Sequence, residues 1–214
     1  MKQEIINQLN QLAKENEPFL FVINYEGTEA YIRKLSEIDP AACLYDFEGV
    51  SNAGTMARQP LPSSILWDVE APLYEDYEKS FEVVERHIKA GDTHLVNLTS
   101  PVAVRCNLSL EEIFLHTQGK YKLMLKNGEQ GFVCFSPETF VRIKDGRIYS
   151  YPMKGTIDAT LPNAEQIIMA DEKEAAEHVS VVELISEDLS RVSSDVRVCL
   201  LYTSPSPRDM RRSR

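Results

Sequence analysis

Residues 131–156 read GFVCFSPETFVRIKDGRIYSYPMKGT, and this stretch carries the clearest structural signal in the chain. Two short segments rich in β-branched and aromatic residues, FVRIK and RIYSY, flank the dipeptide Asp145–Gly146. An Asp-Gly pair in this setting is typical of a tight hairpin turn, because both residues tolerate positive φ angles. The stretch therefore predicts antiparallel strands at residues 139–144 and 147–153, preceded by a strand at residues 131–135.

The rest of the chain alternates between runs of predicted strands and predicted helices. Ser109, followed by two acidic residues, predicts a helix N-cap, and Gly91 predicts the end of the helix before it. No GxGxxG or P-loop motif occurs, so a doubly wound nucleotide-binding fold is not expected. The pattern predicts an α+β fold with mixed, largely antiparallel sheets and flanking helices. Helices are predicted at residues 3–14, 73–90 and 171–192, and further strands at residues 19–24, 41–47, 64–69, 94–104, 121–126 and 196–198.

Composition excludes several classes of function. The chain has 214 residues and a formal net charge of −10, which disfavours general binding of a nucleic-acid backbone. Its apolar runs, such as Phe19–Ile23, are far too short to cross a membrane, and the N-terminus has no secretory signal pattern. The four cysteines are widely spaced without a CxxC pair, so we expect free thiols in a cytoplasmic protein.

The C-terminal segment, residues 199–214, differs from everything before it. It reads CLLYTSPSPRDMRRSR and holds four basic residues against one acidic residue. Without it, residues 1–198 contain 19 basic and 32 acidic residues, a net charge of −13. A solvated basic tail and a nucleic-acid-binding arm are two interpretations of such a segment. We favour a third, that residues 199–214 are foreign sequence that resembles translated adaptor or vector sequence.

Four short motifs occur in a characteristic order. They are GDTHLVNLT at residues 91–99, FSPETF at 135–140, YPMKGT at 151–156 and DEKEAAEH at 171–178. Each motif alone is weak, but together they resemble the chorismate-utilising enzymes, and most closely aminodeoxychorismate synthase component I. The resemblance extends over roughly residues 40–198.

The resemblance implies an incomplete, N-terminal portion of the chorismate-binding fold. Residues 1–72 would supply N-terminal strands and a helix, and residues 73–198 the first part of the catalytic core. Members of the family continue well beyond this point, with a second metal-binding glutamate and a Gly-rich segment. We therefore expect this 214-residue chain to be inactive, although the gene encodes the enzyme.

Lys154 is the most informative single residue. In having Lys before Gly-Thr, this sequence resembles the aminodeoxychorismate synthases. Anthranilate, salicylate and isochorismate synthases usually have a small residue at that position. The resemblance implies that the Lys154 amine attacks C2 of chorismate while the C4 hydroxyl leaves. Ammonia then adds at C4 and expels the lysine, giving 4-amino-4-deoxychorismate. Without the family context, Lys154 would be interpreted as an exposed lysine at the end of a strand.

Glu138, in the SPE motif, is implied to be the general acid that protonates the departing hydroxyl. Its alternative role is that of a turn glutamate. A two-residue Asp145–Gly146 turn would place Glu138 opposite Met153, leaving Lys154 nominally on the other face. A three-residue turn with a bulge would place Glu138 diagonal to Lys154 on one face. Packing of Ile143 against Ile148 favours the first register, the chemistry suits the second, and the sequence leaves both open.

The AEH motif is implied to hold a Mg²⁺ ion that binds the chorismate carboxylate. Glu177 would be a ligand, and Glu174, three residues earlier on nearly the same helix face, could support it. The alternative is that residues 171–178 are the acid-rich first turns of a helix. Gly155 and Thr156 would bind a substrate carboxylate. His178 is a candidate substrate contact, although a packed helix residue is the simpler interpretation.

Other features concern the nucleophile and the partners. Leu95 stands where salicylate and isochorismate synthases carry a water-activating Lys, which favours ammonia over water. No glutaminase motif is present, so a glutamine amidotransferase subunit (component II) is expected to supply ammonia to chorismate. Two alternatives remain: anthranilate synthase component I or another chorismate-utilising enzyme, and a non-catalytic module that binds chorismate or docks an amidotransferase.

Overall fold

A computed structural model describes residues 1–54, 56, 58–93, 96–152, 157–158 and 160–199. Sixteen elements follow one another in these residues. The helices are α1 (Gln3–Lys14), α2 (Tyr74–Ala90), α3 (Leu110–His116), α4 (Ala164–Ala170) and α5 (Glu172–Ser190), with a 3₁₀ turn at Leu35–Glu37. The strands are β1 (Phe19–Ile23), β2 (Ala30–Lys34), β3 (Cys43–Phe47), β4 (Val50–Ser51), β5 (Trp67–Glu70), β6 (Ala103–Cys106), β7 (Tyr121–Asn127), β8 (Gln130–Ser136), β9 (Arg142–Lys144) and β10 (Arg147–Tyr149).

The architecture confirms the α+β prediction. Among the described residues, one sheet has four strands in the order β4-β3-β7-β8, and three further sheets are two-stranded pairs, β1-β2, β5-β6 and β9-β10. All the strand pairs with an assigned register are antiparallel. The chain divides into two compact units. The first comprises residues 1–118 and 122–134, and the second comprises residues 119–121 together with the chain from residue 135 onward. The predicted boundary at residues 72/73 and the predicted foreign tail stay predictions.

The core of the first unit lies on both sides of β3. Leu44, Phe114 and Met124 are completely buried in one cluster, and Cys43 and Tyr45 belong to a second cluster with residues of β1 and β7. Consecutive residues of β3 therefore serve opposite faces of the sheet, as the two-residue repeat of a strand requires. Burial raises the pKa of the Cys43 thiol, so this cysteine is an inert core residue.

The short helix α3 is fixed at both ends. Ser109 forms the predicted cap: its hydroxyl accepts from the Glu112 N–H at 3.2 Å, and the Glu112 carboxylate accepts from the Ser109 N–H at 2.7 Å. At the other end, Lys122 donates to the carbonyls of Phe114 at 2.9 Å and Thr117 at 3.1 Å. Desolvation lowers the pKa of this buried lysine. Lys122 therefore satisfies helix carbonyls that burial would otherwise leave unpaired.

Several strand predictions were too long or wrong. Of the predicted strand at residues 94–104, residues 94 and 95 lie outside the described residues, residues 96–102 have no regular structure, and a strand begins at Ala103. Pro101 lies in this segment and has no N–H to donate to a ladder. Residues 196–198 form no strand. Strand β2 and helix α4 were not predicted, whereas the predicted helix at 171–192 is confirmed as α5.

A large apolar surface of the first unit faces outward. Helix α2 exposes apolar residues that recur at helical spacing, including Tyr77, Phe81 and Ile88, and the β5-β6 hairpin exposes Trp67 and Val104. The helix ends as predicted at Gly91, which adopts a left-handed conformation with φ of 79°. In the part of the chain that the structure describes, no helix combines the length and the apolar character needed to traverse a bilayer.

An ion pair between α3 and β7 makes stability depend on pH. The hydrogen bond from the Lys126 ammonium lowers the pKa of Glu111 below its ordinary value of 4.5. A carboxyl group with a lowered folded-state pKa stabilises the fold above its unfolded-state pKa, and this contribution is lost as pH falls through the folded-state pKa.

Lys126→Met is therefore expected to lower the free energy of unfolding at pH 7 by about 0.5 kcal/mol, the scale of a half-exposed pair. Urea unfolding at a series of pH values should show the deficit shrinking as pH falls below about 4.5, where Glu111 becomes protonated in the unfolded chain. Lys144→Met, at an exposed lysine of β9, is the matched control. A deficit that is equal at every pH would contradict the assignment.

Candidate functional site

The SPE motif forms a turn directly after β8. The Ser136 hydroxyl donates to the Glu138 carbonyl at 3.1 Å and accepts from the Glu138 N–H, also at 3.1 Å. One short side chain thus satisfies both backbone groups of the residue two positions on, a local arrangement that serine favours in turns. The Glu138 side chain is exposed. The motif therefore presents a carboxyl group from a backbone that is internally hydrogen-bonded.

The residue after Glu138 anchors the other side of this turn. Thr139 is buried, with 8% of its surface exposed. Its hydroxyl lies 2.6 Å from the Tyr121 hydroxyl and accepts from the Lys120 ammonium at 3.1 Å. Lys120 also lies over the Tyr121 ring, 5.3 Å from its centroid. All of these residues belong to the second unit.

The β9-β10 hairpin settles the register between the two predicted alternatives. Lys144 pairs with Arg147, and Ile143 pairs with Ile148 across a two-residue turn. Asp145 and Gly146 have φ angles of 51° and 71°, as a type I′ turn requires. The register favoured by packing is confirmed, and the bulged register that suited the chemistry is wrong.

The ladder of this hairpin is shorter than predicted, which limits what the register implies. It ends at the pair Arg142 and Tyr149, and residues 137–141 are not in a strand. The Ser150 hydroxyl donates to the Phe140 carbonyl at 3.1 Å instead. The alternation of side chains between the two faces of a strand therefore does not reach Glu138, and the hairpin register does not assign Glu138 to either face. The predicted site residues Lys154, Gly155 and Thr156, like Leu95, lie outside the described residues.

The predicted metal ligands lie in the first turns of α5. Asp171 caps this helix, accepting from the N–H groups of Lys173 at 2.9 Å and Glu174 at 3.1 Å. Glu174 and Glu177 are partly buried and three residues apart, so they are neighbours on one face of the helix. Lys173 lies 3.7 Å from a Glu177 carboxylate oxygen. The Glu177 carboxylate thus already has a cation partner on its own helix.

The donor set of this helix face is compatible with Mg²⁺. Across the described ranges, no group of three or more His, Cys, Asp or Glu side chains could hold a metal ion. Mg²⁺ commonly uses one or two protein carboxylates and completes its shell with water and substrate oxygens. Glu174 and Glu177 provide that number of hard oxygen donors. His178 is partly buried on the same helix, and its role as a substrate contact stays a prediction.

The hydroxyl cluster beneath the SPE turn was not predicted from the sequence. Tyr121 was predicted only as the start of the strand at residues 121–126, Thr139 only as part of the motif and the start of the strand at residues 139–144, and Lys120 was not singled out. They come together because β7 begins beside the turn that follows β8. The only sequence signal that could have pointed to it is the polar residue Thr139 between Glu138 and the apolar Phe140.

Comparison with known proteins gives a consistent picture. The family model described as chorismate binding enzyme matches residues 28–203. An uncharacterized PabA-like protein of Haemophilus influenzae is 40% identical over 197 residues, covering 92% of this chain and 58% of the relative. Anthranilate synthase component 1 of Aeropyrum pernix is 28% identical, covering 82% of this chain and 47% of that protein. A putative aminodeoxychorismate synthase of Schizosaccharomyces pombe is 24% identical, covering 78% of this chain and 23% of that protein.

The chain matches only part of the length of these relatives. The chain spans less than two thirds of the length of the H. influenzae protein and about half of the A. pernix protein. No solved structure matches the chain significantly.

Proposed function

Because the chain belongs to the family of chorismate-binding enzymes, we propose that it is part of an aminodeoxychorismate synthase component I. This enzyme would convert chorismate and ammonia to 4-amino-4-deoxychorismate, on the route to para-aminobenzoate and folate. One observation carries the proposal: Lys154 stands between Pro152–Met153 and Gly155–Thr156, downstream of the SPE turn. The S. pombe relative named as a putative aminodeoxychorismate synthase supports the same assignment.

Lys154 would act as the nucleophile. Its neutral amine forms a bond to C2 of chorismate, the ring double bond shifts, and the C4–O bond breaks. Ammonia then forms the C4–N bond, the double bond shifts back, and the C2–N bond to Lys154 breaks. The net reaction exchanges the C4 hydroxyl for an amino group and releases water. A lysine attacks only when deprotonated, so the site must disfavour its ammonium form.

Glu138 would supply the proton that the departing C4 hydroxyl needs. A positioned carboxylic acid accelerates such a step by about 10²–10⁴-fold. The turn geometry supports this role, since Ser136 and Thr139 hold the backbone on either side while the Glu138 side chain stays accessible. The carboxylate left after proton transfer could then accept a proton from the incoming ammonia.

Glu177, supported by Glu174, would hold Mg²⁺, which neutralises the substrate carboxylate when bound. Lys173 would release Glu177 at that point, because an exposed lysine pair has little net stability to lose. Gly155 and Thr156 would offer a backbone N–H and a hydroxyl to a substrate carboxylate, and His178 a further donor. Ammonia would come from a glutamine amidotransferase partner, component II.

Anthranilate synthase component I is the second candidate, since the A. pernix relative carries that name. It also uses chorismate and ammonia, but it places the amino group at C2. Lys154 separates the two, because a covalent lysine at C2 would block amination at that carbon. The prediction therefore concerns which carbon receives nitrogen.

The 214-residue chain, incubated with chorismate, ammonium and Mg²⁺, is expected to form no detectable 4-amino-4-deoxychorismate by liquid chromatography. A chimera joining residues 1–198 to the C-terminal part of the H. influenzae relative is expected to form it, because the chimera adds the part of the relative that the match to this chain does not cover. The chimera with ammonium omitted is the control. Robust product from the 214-residue chain would contradict the prediction that it is an inactive piece.

A further inference from the structure

The described residues of the second unit include a polar cluster that the proposed chemistry does not use. Thr139 Oγ1 lies within hydrogen-bonding distance of Tyr121 Oη, at 2.6 Å, and Lys120 Nζ, at 3.1 Å. Thr139 is buried, which is unusual for a threonine unless its hydroxyl is paired. The two partners lie 18 and 19 residues away in sequence, so the contact is tertiary and not a local turn.

The hydrogen-bonding capacity of these groups sets the direction of each bond. An ammonium group can only donate, so Thr139 Oγ1 accepts from Lys120. A hydroxyl has one proton and two lone pairs, so Thr139 can also accept from Tyr121 or donate to it. Both arrangements give the threonine hydroxyl two hydrogen bonds. Its side chain is thereby held in one rotamer, and its backbone is held with it.

The cluster lies directly next to Glu138. On the N-terminal side, Ser136 binds both the N–H and the carbonyl of Glu138. On the C-terminal side, Thr139 fixes the next peptide unit to β7 through Tyr121. The backbone of Glu138 is therefore restrained from both sides. A catalytic group gains from such restraint, since displacement by about 1 Å can cost on the order of 10²-fold in rate.

We propose that Thr139, held by Tyr121 and Lys120, is a positioning residue that fixes the turn presenting Glu138. This inference rests on the proposed function only for what Glu138 does; the restraint itself is a property of the fold. The hydroxyl is the essential feature, because a valine of the same shape would keep the packing and lose both bonds.

The test measures backbone ¹⁵N order parameters in the 214-residue chain. Glu138 should have an order parameter near 0.85 in the unmodified chain, the value of rigid backbone, and below about 0.6 in Thr139→Val. Thr139→Ser should restore it, because serine keeps the hydroxyl. The amide of Met124, buried in the core of the first unit, should not change. Tyr121→Phe is a second variant, which removes one of the two hydrogen bonds to the Thr139 hydroxyl. Tyr149→Phe, at a partly exposed tyrosine of β10, is its matched control.

The outcomes separate the positioning role from the chemistry. An unchanged Glu138 order parameter in Thr139→Val, or an equal fall in Thr139→Ser, would overturn the proposal. Should Thr139→Val fail to fold, Tyr121→Phe decides, because it removes one bond to the hydroxyl and must still lower the Glu138 order parameter. Adding chorismate to the chimera described above then tests Glu138 itself: a Glu138 resonance that does not shift there would count against the proposed function while the restraint by Thr139 stands.

Discussion

Replacing Lys154 by alanine is expected to lower the rate of 4-amino-4-deoxychorismate formation by roughly 10³-fold or more in the chimera described above. Loss of a covalent nucleophile removes the lower-barrier route, and what remains is the catalysis provided by binding alone. The measurement is steady-state product formation from chorismate and ammonium at saturating Mg²⁺. A fall in kcat with little change in KM is expected, because alanine leaves the proposed Mg²⁺ and carboxylate contacts in place.

Lys144→Ala is the matched control for this substitution. Lys144 is an exposed lysine next to the turn of the β9-β10 hairpin and is expected to leave the rate unchanged. C4 amination that survives in Lys154→Ala would show that ammonia attacks chorismate directly. The covalent role of Lys154 would then be wrong, although the family assignment would stand.

Glu138→Gln is expected to lower the rate by about 10²–10⁴-fold, the usual contribution of a general acid. Glutamine keeps the size of the side chain and the hydrogen bonds of the Ser136 turn, which involve only the Glu138 backbone. The turn itself should therefore be kept, and the melting temperature of the variant separates any loss of folding from a loss of rate. The kinetic loss isolates the proton that the carboxylic acid supplies.

Glu129→Gln controls for removal of an exposed carboxylate. Glu129 lies in the tight turn between β7 and β8, where no chemistry is proposed. Glu138→Asp offers a second comparison, since it keeps the acid but withdraws it by one methylene. A Glu138→Gln variant with the full rate would assign the proton to another donor and leave Glu138 as a turn residue.

Local chemistry explains which parts of the fold the sequence predicts. The Asp145–Gly146 turn, the Ser109 cap and the Gly91 stop each depend on residues within three or four positions, and the structure confirms all three. The strand predicted over VNLTSPVAV was mostly wrong, because apolar composition suggested a ladder that Pro101 interrupts. Apolar composition there brings neither a hydrogen-bonded partner nor burial, since Val96 and Val102 are 42% and 44% exposed.

The same difference between local and long-range interactions decides which parts of the site could be predicted. Motif order identifies Glu138, Glu174 and Glu177 as candidates, and the helix and turn that carry them exist. The Thr139 cluster could not be predicted, because its partners are brought together by the β7-β8 pairing rather than by spacing along the chain. Sequence also left the hairpin register open, and the structure resolves it by pairing Ile143 with Ile148.

The most direct test of the proposed function is the position of nitrogen in the product. Chorismate, Mg²⁺ and ¹⁵N-labelled ammonium are supplied to the chimera, and the product is examined by ¹H–¹⁵N correlation NMR. We predict ¹⁵N bonded to C4 of an intact cyclohexadiene ring that keeps its enolpyruvyl ether, as in 4-amino-4-deoxychorismate. Nitrogen at C2 of an aromatic ring with release of pyruvate would identify anthranilate, and would contradict the assignment that rests on Lys154.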